Sequence, residues 1–149
     1  MKIDTLFTIK DNKLYKLEDN SEVALDSLKK IELPWSQIEL EPEHYNEELL
    51  AKLREDLKNM EETGTFAIIV PVTDRQVGTP DEDYDQEAYI AACNHAARRI
   101  KDCTSVVGFE IPSEIEEKED FVETISKKHS QYIYFTKGDN TMKDRVITY

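Results

Sequence analysis

The chain has 149 residues, in which 32 acidic residues outnumber 19 Lys and Arg and give a formal net charge of −13 at pH 7. This charge argues against binding to nucleic acid or to an anionic membrane surface, because both are bound through clustered Lys and Arg. The simplest role of the acidity is solubility. The length suits one domain, and 39% apolar residues are enough to form a single core.

The sequence carries no recognisable targeting or cofactor signal. The first ten residues lack the apolar segment of a signal peptide, and no run approaches the ~20 apolar residues of a membrane span, so we expect a cytoplasmic protein. Cys93 and Cys103 have neither a metal-ligand spacing nor the number of partners that a disulfide framework needs. The four glycines form no phosphate-binding loop, and we expect no cofactor.

One metal motif is incomplete. Asp81, Asp83 and Asp85 match the start of an EF-hand loop. The glycine that this loop requires is replaced by Gln86, and the bidentate glutamate by Ala92, so the loop cannot close around calcium. We expect no metal site of this kind, and a weak surface cation site is the alternative.

The N-terminal residues 1–25 predict a small antiparallel meander. Residues 5–10 and 14–17 alternate in polarity around a turn at 11–13, and residues 22–25 add a third short strand. A helical turn is predicted at 26–30, and Ile31, Leu33 and Trp35 alternate as the next strand.

The clearest helix runs from an N-cap at Asn46 to a stop at Gly64. Its apolar stripe recurs at spacings of three and four residues and consists of Leu50, Leu53, Leu57 and Met60. The run TFAIIVPV at 65–72 follows, and its apolar, β-branched character is typical of a strand buried on both faces.

The second half of the chain repeats this alternation of helix and strand. After an acidic loop at 73–83, Asp83 and Gln86 predict a capping box for a helix with one apolar face, formed by Tyr89, Ala92, Cys93, Ala96 and Ile100. A strand is predicted at 105–111. Ser113 and Glu116 predict the start of a third main helix, in which Phe121, Val122 and Ile125 face inward.

Residues 131–135 form the next predicted strand, and 145–149 form an edge strand in a C-terminal tail at 137–149. Strand and helix therefore alternate over residues 31–136, an order that gives right-handed crossovers and a mostly parallel sheet. The fold class predicted is α/β: an N-terminal meander, then a βαβαβαβ parallel sheet.

In such sheets, binding sites form at the carboxyl ends of the strands. This rule selects residues 35–39, 72–75, 110–114 and 137–139. Their polar or aromatic side chains are the candidate site residues: Trp35, Asp74, Arg75, Glu110, Ser113 and Glu114.

Two stretches resemble the first half of a glycoside hydrolase (β/α)8 barrel of the cellulase-like clan that includes family 5. Residues 33–72 (LPWSQIELEPEHYNEELLAKLREDLKNMEETGTFAIIVPV) are similar to the family's second strand, its Trp-containing loop, the next helix and the third strand. Residues 96–114 (AARRIKDCTSVVGFEIPSE) are similar to the helix and fourth strand that precede its Asn-Glu motif. The resemblance implies a fold like half of a TIM barrel.

The resemblance places Glu114 at the position of the family's general acid/base carboxylate, which protonates the leaving glycosidic oxygen. Trp35 would offer a ring face to a sugar, although core packing is the alternative for this residue, and a favourable helix-dipole contact is the alternative for Glu114. Ser113 stands where the family has Asn. The nucleophile of the family comes from a seventh strand, whereas the predicted strands end near the fifth.

Three functional hypotheses follow from these observations. The first is a non-catalytic protein that binds a carbohydrate or small ligand at the strand ends. The second is an active glycosidase that uses Glu114 with a second carboxylate from a partner subunit. The third is an acidic interaction module whose loop at 73–83 contacts a basic partner. Because a half-barrel leaves sheet edges unpaired, we also expect a homo-oligomer.

Overall fold

The computed structural model describes residues 5–75, 77–78, 84–113, 115, 118–137 and 146–149. The predicted fold class is confirmed: an N-terminal antiparallel sheet is followed by an α/β unit with a five-stranded parallel sheet. In chain order the elements are β1 (Phe7–Lys10), β2 (Lys13–Lys16), β3 (Glu22–Val23), β4 (Lys29–Pro34), α1 (Trp35–Ile38), β5 (Glu39–Glu41), β6 (His44–Tyr45), α2 (Glu47–Thr63), β7 (Ala67–Val72), α3 (Gln86–Arg99), β8 (Val106–Glu110), α4 (Lys118–Lys128), β9 (Ile133–Thr136) and β10 (Val146–Thr148).

The N-terminal meander is present as predicted, with β1, β2 and β3 paired in that order. Asp11 and Asn12 make its first turn with φ angles of 52° and 62°, a left-handed conformation that Asp and Asn tolerate better than most residues. The helical turn predicted at 26–30 is shorter: a 3-10 turn covers Leu25–Ser27. Lys29 is instead the first residue of β4: it pairs with Ala67 of β7, and its backbone N–H donates to the Phe66 carbonyl at 2.9 Å.

The parallel sheet has the order β10-β9-β8-β7-β4, so β10 and β4 are its edges. The strand predicted to reach Trp35 ends at Pro34, and this prediction was wrong by one residue. Trp35 begins α1, whose single turn closes when the Glu39 N–H donates to the Trp35 carbonyl. The hairpin of β5 and β6 was not predicted, since its turn places Glu43 at φ 64° without a glycine to mark it.

The long helices follow from local signals. Asn46 caps α2 by accepting a hydrogen bond from the Leu49 N–H at 3.1 Å, and Gly64 ends the helix with φ 70°. Helix α3 is capped by Asp85, which accepts from the Ala88 N–H at 2.8 Å. The predicted capping box of Asp83 and Gln86 was therefore wrong, since Gln86 is already the first helical residue. Asp83 itself lies outside the described residues.

The five-stranded sheet separates two apolar clusters. The helix-side cluster packs α2, α3 and α4 on one face, with Leu57, Tyr89 and Phe121 among its fully buried side chains. The meander-side cluster covers the other face. It joins Phe7, Leu14, Val23 and Leu28 to Ile68, Val107, Ile133, Phe135 and Ile147 of the sheet.

The sheet curves toward the meander, and the side chains of its two edge strands approach each other. Five parallel strands span about 19 Å in a flat sheet, yet the Lys30 ammonium of β4 lies 4.1 Å from the ring centroid of Tyr149, the residue after β10. The β10 edge is also covered locally, because the Asn12 side chain donates to the Thr148 carbonyl at 2.7 Å and accepts from the Thr148 N–H at 2.8 Å.

No helix among the described residues has the length and apolar character needed to cross a membrane.

Candidate functional site at the carboxyl ends of the strands

Because all five strands of the sheet are parallel, the residues that follow them lie along one edge of the fold. Most of these side chains are polar, and several contact one another across neighbouring strands. They are Trp35 and Ser36 after β4, Asp74 and Arg75 after β7, Glu110 at the end of β8, Lys137 after β9 and Tyr149 after β10.

Trp35 is a core residue. Its side chain has 0% exposure, and its ring stacks on Tyr89 with centroids 4.6 Å apart and meets Tyr84 edge-on at 5.6 Å. The indole Nε1 donates to Glu39 Oε1 at 2.8 Å, which satisfies the polar atom inside the core. The expectation of a ring face open to a sugar is thus corrected: both tertiary packing and the indole hydrogen bond hold Trp35 in the interior.

Arg75 connects the end of β7 to the segment around α1. Its guanidinium carbon lies 4.1 Å from the Tyr84 ring centroid and 5.2 Å from that of Trp35, distances typical of cation–π contacts. Nη2 donates to the Glu39 carbonyl at 2.8 Å. Nη1 is buried, and no described residue accepts a hydrogen bond from it.

Asp74 connects β7 to β4. Its carboxylate accepts from the Ser36 backbone N–H at 2.9 Å and from the Ser36 hydroxyl. Partial burial raises the pKa of Asp74, but the Ser36 hydrogen bonds and the Arg75 charge outweigh that effect and hold the pKa below its usual range. Asp74 is therefore an ionised acceptor that joins two strand ends.

Glu110 lies in the second polar group, near the β10 edge. Its Oε1 accepts from the Tyr149 hydroxyl at 2.5 Å and lies 3.9 Å from the Lys137 ammonium, and its side chain is 13% exposed. Burial and then the Glu110 contact raise the pKa of Tyr149, so the phenol remains protonated and donates. Within the described chain, the second oxygen Oε2 has no hydrogen-bond partner.

A bulge in β8 decides which way Glu110 points. Ala67 pairs with Val106 but Ile68 pairs with Gly108, so Val107 is an extra residue and the alternation of faces shifts after it. Glu110 consequently lies on the meander face, where it reaches Tyr149. Gly108 is required beside the bulge, since a Cβ there would lie 1.6 Å from the Ile133 carbonyl oxygen.

The structure brings together some of the predicted site residues and leaves others untested. Asp74 and Arg75 meet the residues around Trp35, whereas Glu110 joins Lys137 and Tyr149. Tyr149 was missed as a site residue: it is the last residue of the predicted edge strand at 145–149, and no local pattern indicates that its hydroxyl reaches Glu110, 39 residues away. Ser113 is exposed. Glu114 lies outside the described residues, as do Glu116 of the predicted capping box and Asp81, Glu82 and Asp83 of the acidic loop.

A metal-binding arrangement is not found in the part of the chain that the structure describes, where no three His, Cys, Asp or Glu side chains converge.

Comparison with known proteins gives a likeness of fold. No family model matches the chain, and no curated protein matches it. A crystal structure of a GH5_18 glycoside hydrolase from Bifidobacterium longum subsp. infantis is similar, with a TM-score of 0.52 and 9% sequence identity. The similarity covers 72% of this chain and 33% of that one, so the chain spans about a third of the length of its match. At this identity the likeness shows a distant cellulase-like, partial TIM-barrel-like fold and nothing about activity.

Proposed function

We propose that the protein is a non-catalytic binding protein that takes a carbohydrate, or another small molecule rich in hydroxyl groups, at the carboxyl ends of the strands. The observation that supports this proposal best is the state of Glu110. One carboxylate oxygen is held by Tyr149 at 2.5 Å, and the other has no partner among the residues that the structure describes.

A carboxylate held in this way is suited to binding. The hydrogen bond from Tyr149 to Oε1 fixes the orientation of the carboxylate. Oε2 can therefore accept a hydrogen bond from a ligand hydroxyl at little cost in side-chain entropy. Hydrogen bonds to a charged acceptor are stronger than neutral ones. Tyr149 is a donor and Lys137 a cation, and both are complementary to an accepting carboxylate. A glycosidase acid must instead hold a proton and work with a second carboxylate.

The proposal is tested by thermal unfolding in the presence of a panel of oligosaccharides. A ligand that binds the folded state raises the unfolding free energy by RT ln(1 + [L]/Kd), so a saturable increase in Tm with one sugar class is expected. Glu110→Gln should abolish most of that increase, because it replaces an acceptor oxygen by an amide. Glu62→Gln, an exposed change on α2, is the matched control and should leave it unchanged.

Two results would contradict this assignment. One is the absence of any sugar-dependent increase in Tm, and the other is an equal increase in wild type and Glu110→Gln. The glycosidase hypothesis is tested in parallel with aryl glycosides: turnover that is lost in Glu114→Gln would favour it over non-catalytic binding. Capture of a basic partner that is lost when Asp81, Glu82 and Asp83 are neutralised would favour the interaction module.

We also propose that the protein self-associates through the outer edge of β4. In the described chain β4 pairs only with β7, whereas the β10 edge is bonded to Asn12. An open edge favours pairing with a second chain. Sedimentation velocity should detect a dimer, and a monomer at every protein concentration would refute this.

A further inference from the structure

A basic cleft lies at the opposite end of the sheet from the candidate site. It has a volume of about 430 Å³ and lies between the C-terminal ends of α3 and α4. These helices lead into the amino ends of β8 and β9. The side chains used in the argument below are His95, Arg98, Lys101, Lys128 and His129.

Among the residues that the structure describes, no carboxylate pairs with the Arg and Lys side chains of this cleft. In the neighbouring surface, Arg99 pairs with Glu47 and Arg54 pairs with Asp102. By contrast, no described carboxylate lies within salt-bridge distance of Arg98, Lys101 or Lys128. His95 also lines the cleft, but its Nε2 lies 2.7 Å from Glu47 Oε1. Three uncompensated cations in one concavity form a strongly positive region in a chain of net charge −13.

His129 lies at the base of the cleft with 6% exposure. Burial lowers its pKa first, and the charges of Lys101, Arg98 and Lys128 lower it further. The same three cations therefore act on this imidazole, and no described carboxylate offsets them. Its ring contacts Tyr132, with centroids 6.0 Å apart, and makes no side-chain hydrogen bond within the described residues.

We propose that this cleft binds a small phosphate-bearing molecule. Phosphate oxygens can accept charge-assisted hydrogen bonds from Arg98, Lys101 and Lys128, and an arginine can hold two of them at once. The cleft has the size typical of small-molecule sites, about 300–1,000 Å³. A nucleic acid is disfavoured, because the rest of the acidic surface repels a long polyanion. A bound phosphate also offsets the field at His129, so that the imidazole can take up a proton and donate to it.

The same cations could serve only to stabilise helix ends. Arg98 and Lys128 lie in the last turns of α3 and α4, where positive charge interacts favourably with the helix dipole. That role predicts a lower Tm when either residue is neutralised, without any change in phosphate affinity. Stability and affinity must therefore be measured separately.

The experiment is isothermal titration calorimetry at low ionic strength with pyrophosphate, inorganic phosphate and glucose 6-phosphate, with glucose as the uncharged comparison. We expect pyrophosphate to bind with an affinity that Glu110→Gln does not change, whereas any heat from glucose should be lost in Glu110→Gln, because the sugar is proposed to bind at the strand ends. Since a hydrogen bond to a charged group contributes about 1.5–3 kcal/mol, Arg98→Gln and Lys128→Gln should each weaken pyrophosphate binding about tenfold or more. Lys52→Gln, an exposed change on α2 with the same loss of charge, should bind like wild type.

A second measurement detects binding at the cleft through the pKa of His129 and does not depend on the affinity. In NMR titrations, pyrophosphate should raise the pKa of His129 in wild type and in Lys52→Gln, and much less in Arg98→Gln. No binding at millimolar pyrophosphate, or equal affinities for Arg98→Gln and Lys52→Gln, would overturn the proposal. Glu110→Gln should leave pyrophosphate binding intact, so this test and the test of the strand-end site fail independently.

Discussion

The two faces of the parallel sheet are covered by different kinds of structure. On one face, three amphipathic helices provide many large buried side chains. On the other, a three-stranded meander of short strands provides only a few, among them Phe7 and Leu14. In a closed (β/α)8 barrel, the sheet face that points away from the helices is the inner face, and its side chains pack against one another. Here the meander packs against the curved inner face, and it does so with far fewer side chains than the helices use.

This comparison suggests that the two faces differ in how much they contribute to cooperative unfolding. The helix face includes crossovers that tie distant parts of the chain together. Among the described residues, the meander contacts the sheet through one apolar cluster and through the Asn12 side chain. The meander should therefore be the easier layer to separate from the sheet.

The largest expected effect on stability is at Gly108, inside the sheet that carries both layers. Gly108→Ala would place a Cβ 1.6 Å from the Ile133 carbonyl oxygen, so β8 and β9 must separate. We expect a loss of at least about 4 kcal/mol in unfolding free energy, measured by urea denaturation. Gly64→Ala is the control: its Cβ meets no atom within 4 Å, and the left-handed φ alone costs about 1 kcal/mol. Equal stability of the two variants would contradict the bulge geometry.

The next effect compares the layers directly with the same substitution. Phe7→Ala on the meander and Phe121→Ala on α4 each remove a buried ring and should each cost about 3–5 kcal/mol. The pattern of hydrogen exchange should distinguish the two variants. Phe7→Ala should accelerate exchange mainly in β1 to β3, whereas Phe121→Ala should accelerate it throughout the sheet and helices. Identical exchange patterns would show that the two layers unfold as one unit.

A smaller effect concerns the bond between the meander and the β10 edge. Asn12→Gly keeps the left-handed backbone but removes two hydrogen bonds to Thr148, so a loss of about 1–2 kcal/mol is expected. Asp11→Gly changes the same turn, where the φ angle is also positive, and should have little effect. The check is thermal unfolding of the two variants side by side. An Asn12→Gly protein as stable as Asp11→Gly would mean that this edge is not held by the side chain.

The smallest expected effect concerns an exposed ion pair on the helix face, between Arg54 and Asp102. Hydrogen bonds from Arg54, and the charges of Lys58 and Arg54, lower the pKa of Asp102 from 3.8 despite partial burial. A carboxylate with a depressed folded pKa adds stability above its unfolded pKa and loses it as pH falls through the folded pKa. The Tm of the wild type should therefore fall as the pH drops below about 4, and the Tm of Asp102→Asn should fall less over the same range. The measurement is Tm against pH. The control Asp56→Asn should retain the wild-type profile.

Much of the fold could be predicted because its signals are local. The polar cap at Asn46, the stripe from Leu50 to Met60 and the stop at Gly64 lie within one helix, and each acts over three or four residues. The alternation of apolar strands and helices then predicted the parallel sheet. The capping box at Asp83 failed because Asp85 is also a good cap, and the sequence pattern alone does not rank two neighbouring acceptors.

The candidate sites could be predicted only in part. The topology rule selected Asp74, Arg75 and Glu110 because strand ends are readable from the sequence. It did not predict that Trp35 is enclosed by Tyr89, or that Glu110 is held by Tyr149, 39 residues away.

The amino-acid sequence by itself determined the main helices and strands of this protein and the parallel sheet that they form, since helix caps, apolar periodicity and turns act between near neighbours. Only the tertiary structure decided which face Glu110 occupies, how the meander covers the curved sheet, and that Arg98 and Lys128 share a cleft. Those outcomes depend on one extra residue in β8 and on the packing of crossovers. Such contacts join residues that are far apart in the chain, and no local pattern in the sequence specifies them.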